Sequence, residues 1–361
     1  MIVNWFHKTG IAALAVAALL ITSCSPSAEP PQARTEFNIG WSIYAGWMPW
    51  PYAQQAGIVK KWADKYGLKI NIVQVNDYVE SVNQYTAGKL DGVTVTNMDA
   101  LTIPAAGGKD TSALIMGDYS NGNDGIVLKN AASLAEIKGR SINLVELSVS
   151  HYLLARGLET VNLKLADVKT INTTDADIVG AFAAPEVTAA VTWNPQLNEL
   201  KAAPGAVLAF DSSKIPAEIL DLLVVDSAVL KANPNLGKAL VGIWYETIAL
   251  MQRTDAAGVA ARAAMAKLAG STPASFDAQL STTHLYRTPQ DAIAAVTGPD
   301  LVTTMTRVRD FSFSKGLFGP GATAPDTIGI AFPAGRTLGN PANVKLRFDP
   351  SFMQLAADGK L

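Results

Sequence analysis

The chain has 361 residues, is 49% hydrophobic and 17% charged, and carries a formal net charge of −2. That apolar content argues against a charge-rich unfolded chain, and the near-even charge, with no basic stripe, argues against a nucleic-acid partner. The length accommodates two domains, each with a core of its own.

The N-terminus reads as an export signal. Met1–Lys8 holds one side chain of fixed charge, Lys8, and Gly10–Ile21 is apolar. The run is shorter than the roughly 20 residues of a membrane-spanning helix. Ile21-Thr22-Ser23-Cys24 follows and resembles a bacterial lipobox, in which the cysteine becomes the lipidated first residue. Cys24 is the only cysteine, so it has no disulfide partner within the chain. The expected segments are a signal peptide over 1–23 and a Pro-, Ser- and Ala-rich flexible tether over 24–36.

From Phe37 the pattern changes to alternating strands and helices. Strands are predicted at Phe37–Ile43, Leu68–Val75, Gly92–Val95 and Ser112–Met116, with helices at Ala53–Tyr66, Tyr78–Ala87 and Met98–Ala106 between them. This βαβαβαβ order favours a mostly parallel sheet flanked by helices. Tyr119–Gly125, rich in turn formers, reads as a crossing to a second lobe. Strands at Gly125–Lys129, Ser141–Val145, Val168–Ile171, Val187–Val191 and Val207–Phe210 build that lobe, with helices at Ser148–Leu158, Asp175–Phe182 and Pro195–Ala202. Leu222–Asp226 reads as the return crossing. The remainder is mainly helical, ending in a loop-rich tail from Gly321 that wraps the first lobe. The division is therefore 37–120 plus 225–361 for lobe 1 and 121–224 for lobe 2. Open α/β sheets bind ligands beyond the carboxyl ends of their strands, which here face each other across a cleft that hinge motion can close.

No catalytic constellation stands out. After the signal only His151 and His284 remain, and there is no Gly-x-Ser-x-Gly, His-Glu-x-x-His or phosphate loop. The reading is of a chain that is not an enzyme and needs no cofactor or metal. Ser148 and Ser150 beside His151 fit a helix cap better than a nucleophile–base pair, since adjacent helical residues do not face each other.

The strongest local feature is Trp41–Tyr52, with five aromatic residues in twelve positions directly after the first strand. Part of it belongs to the core, but Tyr44, Trp47 or Trp50 in a cleft loop could supply a face for a flat or cationic ligand. Trp193, before Asn194-Pro195, offers another from the second lobe. The strand-end loops hold Asp77, Asp99, Glu146, Asp175, Asp177 and Asp211, and Asp118, Asp124, Glu218 and Asp221 lie near the crossings. The nearest base in these loops is Lys214. Acids at helix starts have a dipole rationale, yet that does not account for the missing bases. A buried anion would call for Arg or Lys donors. Carboxylates and aromatics suit a small cation or a donor-rich neutral molecule.

By Trp41–Trp50, Asn76–Ser81, Thr96–Ala100, Asn121–Gly125, Leu144–His151 and Val191–Pro195, the chain resembles solute-binding proteins of ABC importers in the nitrate, sulfonate and taurine class. The closer resemblance is to the subgroup encoded beside urea carboxylase. It implies an α/β two-lobe periplasmic-binding fold with two crossings, and partners in a membrane permease and its ATPase. It implies urea or guanidine as solute, and the acidic cleft favours guanidinium. The expected ligand contacts are Asp77, Asp99 and Glu146 as charge partners, Tyr44, Trp47 and Trp193 as walls, and Ser148, Ser150 and Asn97 as hydrogen-bonding groups. The expected protein is a monomer held at the membrane through lipid on Cys24. A fold-related enzyme, or a lipoprotein that binds another protein, is the rival reading.

Overall fold

Strands and helices alternate along the chain and sort into two sheets. The computed structural model describes residues 34–361; the signal peptide, Cys24 and tether residues 24–33 lie outside them. The remaining tether residues belong to the fold: Arg34 forks onto Asp91 at 2.6 and 2.7 Å, and Glu36 opens the first strand.

The strands are β1 (Glu36–Trp41), β2 (Lys69–Gln74), β3 (Gly92–Thr96), β4 (Thr111–Ser120), β5 (Asp124–Lys129), β6 (Ser141–Leu144), β7 (Lys169–Asn172), β8 (Ala189–Trp193), β9 (Ala206–Asp211), β10 (Leu220–Asp226), β11 (Thr283–Leu285), β12 (Gly329–Ala331), β13 (Thr337–Leu338) and β14 (Val344–Phe348). Nine form one sheet in the order β13-β12-β14-β4-β10-β3-β1-β2, with β11 added to β4; five form a second, β7-β6-β8-β5-β9.

Both sheets are mixed rather than mostly parallel. β1, β2 and β3 run parallel, as do β6, β7 and β8, but β10 is antiparallel to β3 and β4, and β5 to β8 and β9. The cause is topological. β5 and β10 are the strands that have just arrived from the other sheet, and each enters against the direction set by its βαβ neighbours. The outward passage is Asn121–Asn123, between β4 and β5. The return is 212–219: β10, expected from sequence to be the crossing itself, is hydrogen-bonded into the first sheet. The C-terminal tail extends that sheet through β14 beside β4.

Gly57, at φ 76°, breaks the predicted helix Ala53–Tyr66 into Pro49–Gln55 and Ile58–Lys65; a left-handed residue ends an α-helix, and glycine adopts that conformation without a Cβ penalty. The helix Asn97–Ala100 widens beyond Ala100, where Ala106 N–H bonds Leu101 O at 3.0 Å, because Pro104 has no N–H to give to a regular turn. Helix Pro234–Met251 buries Leu236, Leu240, Ile243, Trp244, Ile248 and Met251 at helical spacing. Trp244 stacks on Trp50 with centroids 5.4 Å apart, forming the floor beneath the cleft loops. Truncating such a side chain to alanine costs about 3–5 kcal/mol.

Candidate ligand-binding site

The carboxyl ends of β1 and β3, both passages between the sheets and the end of β8 meet around one cavity. Tyr44, Trp47, Tyr78, Thr96, Asn123, Asp124, Val149, Trp193, Ile219 and Asp221 line it. The cavity volume is only about 20 Å³, which suits a solute of few heavy atoms. Tyr44, Trp47 and Tyr78 come from the first lobe, Val149 and Trp193 from the second.

The walls are aromatic. Tyr44 meets Trp47 edge-on at 5.0 Å, Trp47 lies 5.8 Å from Tyr78, and Tyr78 meets Trp193 edge-on at 5.6 Å. All four are 6% exposed or less. Local structure sets each ring. A single turn at Ala45–Trp47 follows β1, and Tyr78 is the first residue of the helix capped by Asp77. Trp193 ends β8, in register with Asp124. Gly46 permits the close approach: a Cβ there would stand 2.5 Å from the Tyr44 ring and 2.6 Å from Asp118 Oδ2.

Acids accompany the rings. Asp124 and Asp221 line the cavity, and Asp99 and Asp118 stand behind it. Ser120 O–H donates to Asp124 Oδ2, and Tyr44 O–H donates to Asp118 Oδ1 at 2.7 Å. Asp99 Oδ2 accepts from Tyr78 O–H at 2.7 Å and Thr96 O–H at 2.9 Å. Burial pushes the Asp99 carboxyl up to about 6 despite the Tyr78 and Thr96 hydroxyls. Burial also pushes Asp124 to about 6, against the Ser120 hydroxyl and the nearby Asn123 amide and with the charge of Asp99 adding to the rise. Among the described residues, no Lys or Arg lines the cavity. The Trp47 Nε1–H, both side-chain polar atoms of Asn123 and Asp99 Oδ1 are buried without a protein partner, leaving donors and acceptors around the cavity.

Of the residues expected from sequence, Tyr44, Trp47 and Trp193 reach the cavity. Asp77 and Glu146 do not. They line a separate outer groove with Glu80 and Asp175, where Asp77 caps its helix by accepting from Glu80 N–H at 2.8 Å and Glu146 accepts from Thr170 O–H. Burial raises the Asp175 carboxyl to about 6, and it accepts from Tyr78 N–H across the cleft at 3.3 Å. Asp99 lies behind the lining, accepting from the Tyr78 and Thr96 hydroxyls. Asn97 ties down the return passage, donating to Glu218 O at 3.1 Å and accepting from Leu220 N–H at 3.1 Å. Ser148 caps the helix Val149–Thr160, and Ser150 is fully buried off the cavity lining. Trp50 belongs to the core. Tyr78, Thr96, Asn123, Asp124, Val149, Ile219 and Asp221 were not selected from sequence as contacts, although Asp124 and Asp221 stood out as acids at the crossings.

Bases do gather nearby, at Glu218. Tyr152 O–H donates to its Oε2 at 2.6 Å, Arg156 to both oxygens at 2.8 and 3.1 Å, and Arg307 to Oε1 at 2.9 Å. Burial pushes this carboxyl up, but Arg156, Tyr152 and Arg307 together hold it below its usual range. These bases pair with Glu218 on the return passage and do not line the cavity.

Two lobes linked by two passages, with a small cavity between them, define an α/β binding fold of the periplasmic type. The alkanesulfonate-binding protein SsuA of Xanthomonas axonopodis pv. citri, bound to MOPS, superposes with a TM-score of 0.65 at 18% identity, covering 81% of this chain and 96% of that one. The periplasmic nitrate-binding protein NrtA of Synechocystis PCC 6803 gives 0.57 at 13% identity, covering 91% and 99%. The NMT1/THI5-like family profile matches residues 54–256, and the chain belongs to that family. Two proteins carrying the name "putative binding protein", from Brucella abortus (strain 2308) and Brucella suis biovar 1 (strain 1330), are 27% identical over 187 residues, 51% of this chain. The chain spans 57% of the length of these curated relatives.

Proposed function

We propose that this protein is the solute-capturing component of an ATP-driven importer, exported and held at the membrane through lipid on Cys24, and that its solute is a small planar cation of the guanidinium type. The observation that carries the reading is the cavity: four aromatic rings and two carboxylates line it, and among the described residues no base does. A guanidinium offers N–H donors in a plane, can fork onto a carboxylate and can lie against ring faces. Burying Asp124 and Asp221 without a counter-charge is costly, and a cation offsets that cost. Sulfonate and nitrate, the anions suggested by the structural neighbours, would meet like charge here. Urea, matched in shape but neutral, ranks next.

Calorimetric titration with guanidinium, urea, nitrate and taurine tests the ligand. Guanidinium should bind most tightly; tight nitrate or taurine binding without a response to guanidinium would overturn the reading. The anchor is tested separately by expressing Cys24→Ser, which should move the protein from the membrane fraction to the soluble exported fraction. Unchanged membrane association would refute lipid attachment at that position.

A further inference from the structure

Below the cavity lies a smaller chamber bounded by Trp47, Thr94, Asp118, Asp221 and Trp244 among others. Asp221 and Trp47 border both spaces, whereas Asp118 borders only the lower one. Asp118 and Asp221 are register partners on β4 and β10, beside a bulge between Asp221 and Leu222, and residues opposed in this way on a sheet have neighbouring side chains. They are 0% and 5% exposed.

Two unit charges at about 4 Å repel by about 4 kcal/mol even at an effective dielectric of about 20. The titratable groups facing the pair are Tyr44 from the turn after β1, Asp124 at the start of β5 and Tyr286 after β11. None is a base. Tyr44 O–H donates to Asp118 Oδ1, while Asp118 Oδ2 has no protein partner. Burial, followed by the charges of Asp118 and Asp124, holds Asp221 well above the usual carboxylate range. Burial and the Asp124 charge also raise Asp118, against the Tyr44 hydroxyl and the neighbouring Asp221 carboxyl, which hold it down.

We propose that Asp118 and Asp221 share one proton until a cation enters beside Asp221 and expels it, so that Asp118, which touches no solute, makes the site selective for positive charge. The step is an acid dissociation. The carboxyl O–H bond breaks, its electron pair stays on oxygen, the proton passes to bulk buffer, and the ligand's charge replaces it. A neutral solute leaves the proton in place. The inference rests on the cationic-solute reading above.

The test is calorimetry of the full-length chain in detergent at pH 7, titrated with guanidinium chloride in buffers of different ionisation enthalpy. The dependence of the observed heat on that enthalpy counts protons, and about one should be released per guanidinium, with none for urea. In the wild-type protein, guanidinium affinity should also rise towards tenfold per pH unit above pH 7, beyond the range in which Asp124, raised to about 6, takes up a proton of its own. Asp118→Asn, checked by circular dichroism and melting, should release close to none and show a flatter pH profile. Guanidinium binding without proton release, or with a flat wild-type profile, overturns the inference and leaves the ligand reading standing. Absence of guanidinium binding at any pH overturns the ligand reading and this inference with it.

Discussion

Replacing Asp124 by asparagine tests the charge of the site with little change of shape. Asp124 is 5% exposed and lines the cavity beside Trp193, and Ser120 fixes one of its oxygens. Asparagine keeps an oxygen for Ser120 but removes the formal charge and turns an N–H₂ towards a donor-rich ligand. Losing one partner of a buried charge pair costs about 2–5 kcal/mol. Asp221 remains, so the lower half applies, and guanidinium should bind about 30- to 300-fold more weakly. Urea makes no charge pair and should lose no more than about threefold. The same substitution should stabilise the unliganded protein. The folded carboxyl titrates near 6 rather than 3.8, so the native state binds the proton more tightly than the unfolded state. Stability contributed by this group therefore falls as pH rises from about 4 to 6 and stays lower above it, by about 3 kcal/mol. The melting advantage of Asp124→Asn should be absent near pH 3.5 and fully developed at pH 7. Isothermal titration against both solutes and thermal melts across pH decide the matter. Equal losses for guanidinium and urea, or a melting difference independent of pH, would refute the reasoning.

Trp193→Ala opens the wall shared with Tyr78 and should weaken guanidinium by about 10- to 30-fold, in line with a desolvated cation–π contact of about 2 kcal/mol, as read by calorimetry. Asp77→Asn and Glu146→Gln, in the outer groove, should each change guanidinium affinity by less than about threefold; a loss like that of Asp124→Asn would place the charge partner there instead. Glu218→Gln strips the shared partner of Arg156, Arg307 and Tyr152 and should destabilise the protein by about 2–3 kcal/mol in denaturant melts, the lower end of a broken buried pair because Arg307 is 54% exposed. Gly46→Ala should cost both stability and affinity, since its Cβ must displace Tyr44 or Asp118, and a chain that melts and binds like wild type would contradict that close approach.

The alternation of strands and helices was legible because its periods differ, and Tyr119–Gly125 announced the outward passage by its turn formers. The antiparallel entry of β5 and β10 was not legible, since local pattern carries no strand direction. Tyr44, Trp47 and Trp193 could be found because aromatic rings beside strand ends have few local reasons to be there. Asp124 and Asp221 were visible as acids but could not be separated from Asp77 and Glu146. Which acid faces the cavity depends on the registers of β5 with β8 and of β10 with β4, set by pairing between residues distant in sequence. Tyr78 was hidden because the first residue of a helix reads as core, and only the opposing lobe turns it into a wall.

Asn123, Asp124, Ile219 and Asp221 all sit on or beside the two passages between the sheets. A rotation that opens the lobes about those passages moves atoms in proportion to their distance from the axis, so these four would shift least, while Val149 and Trp193 would swing with the second lobe. The solute is thus seated at the fulcrum. Opening would lift the lid from a ligand still resting on its carboxylates, and hand-over would depend on whatever loosens that grip rather than on the swing itself. Paired spin labels on the two lobes, combined with solute dissociation rates, would separate the two events: opening much faster than release is the signature of a load carried at the pivot.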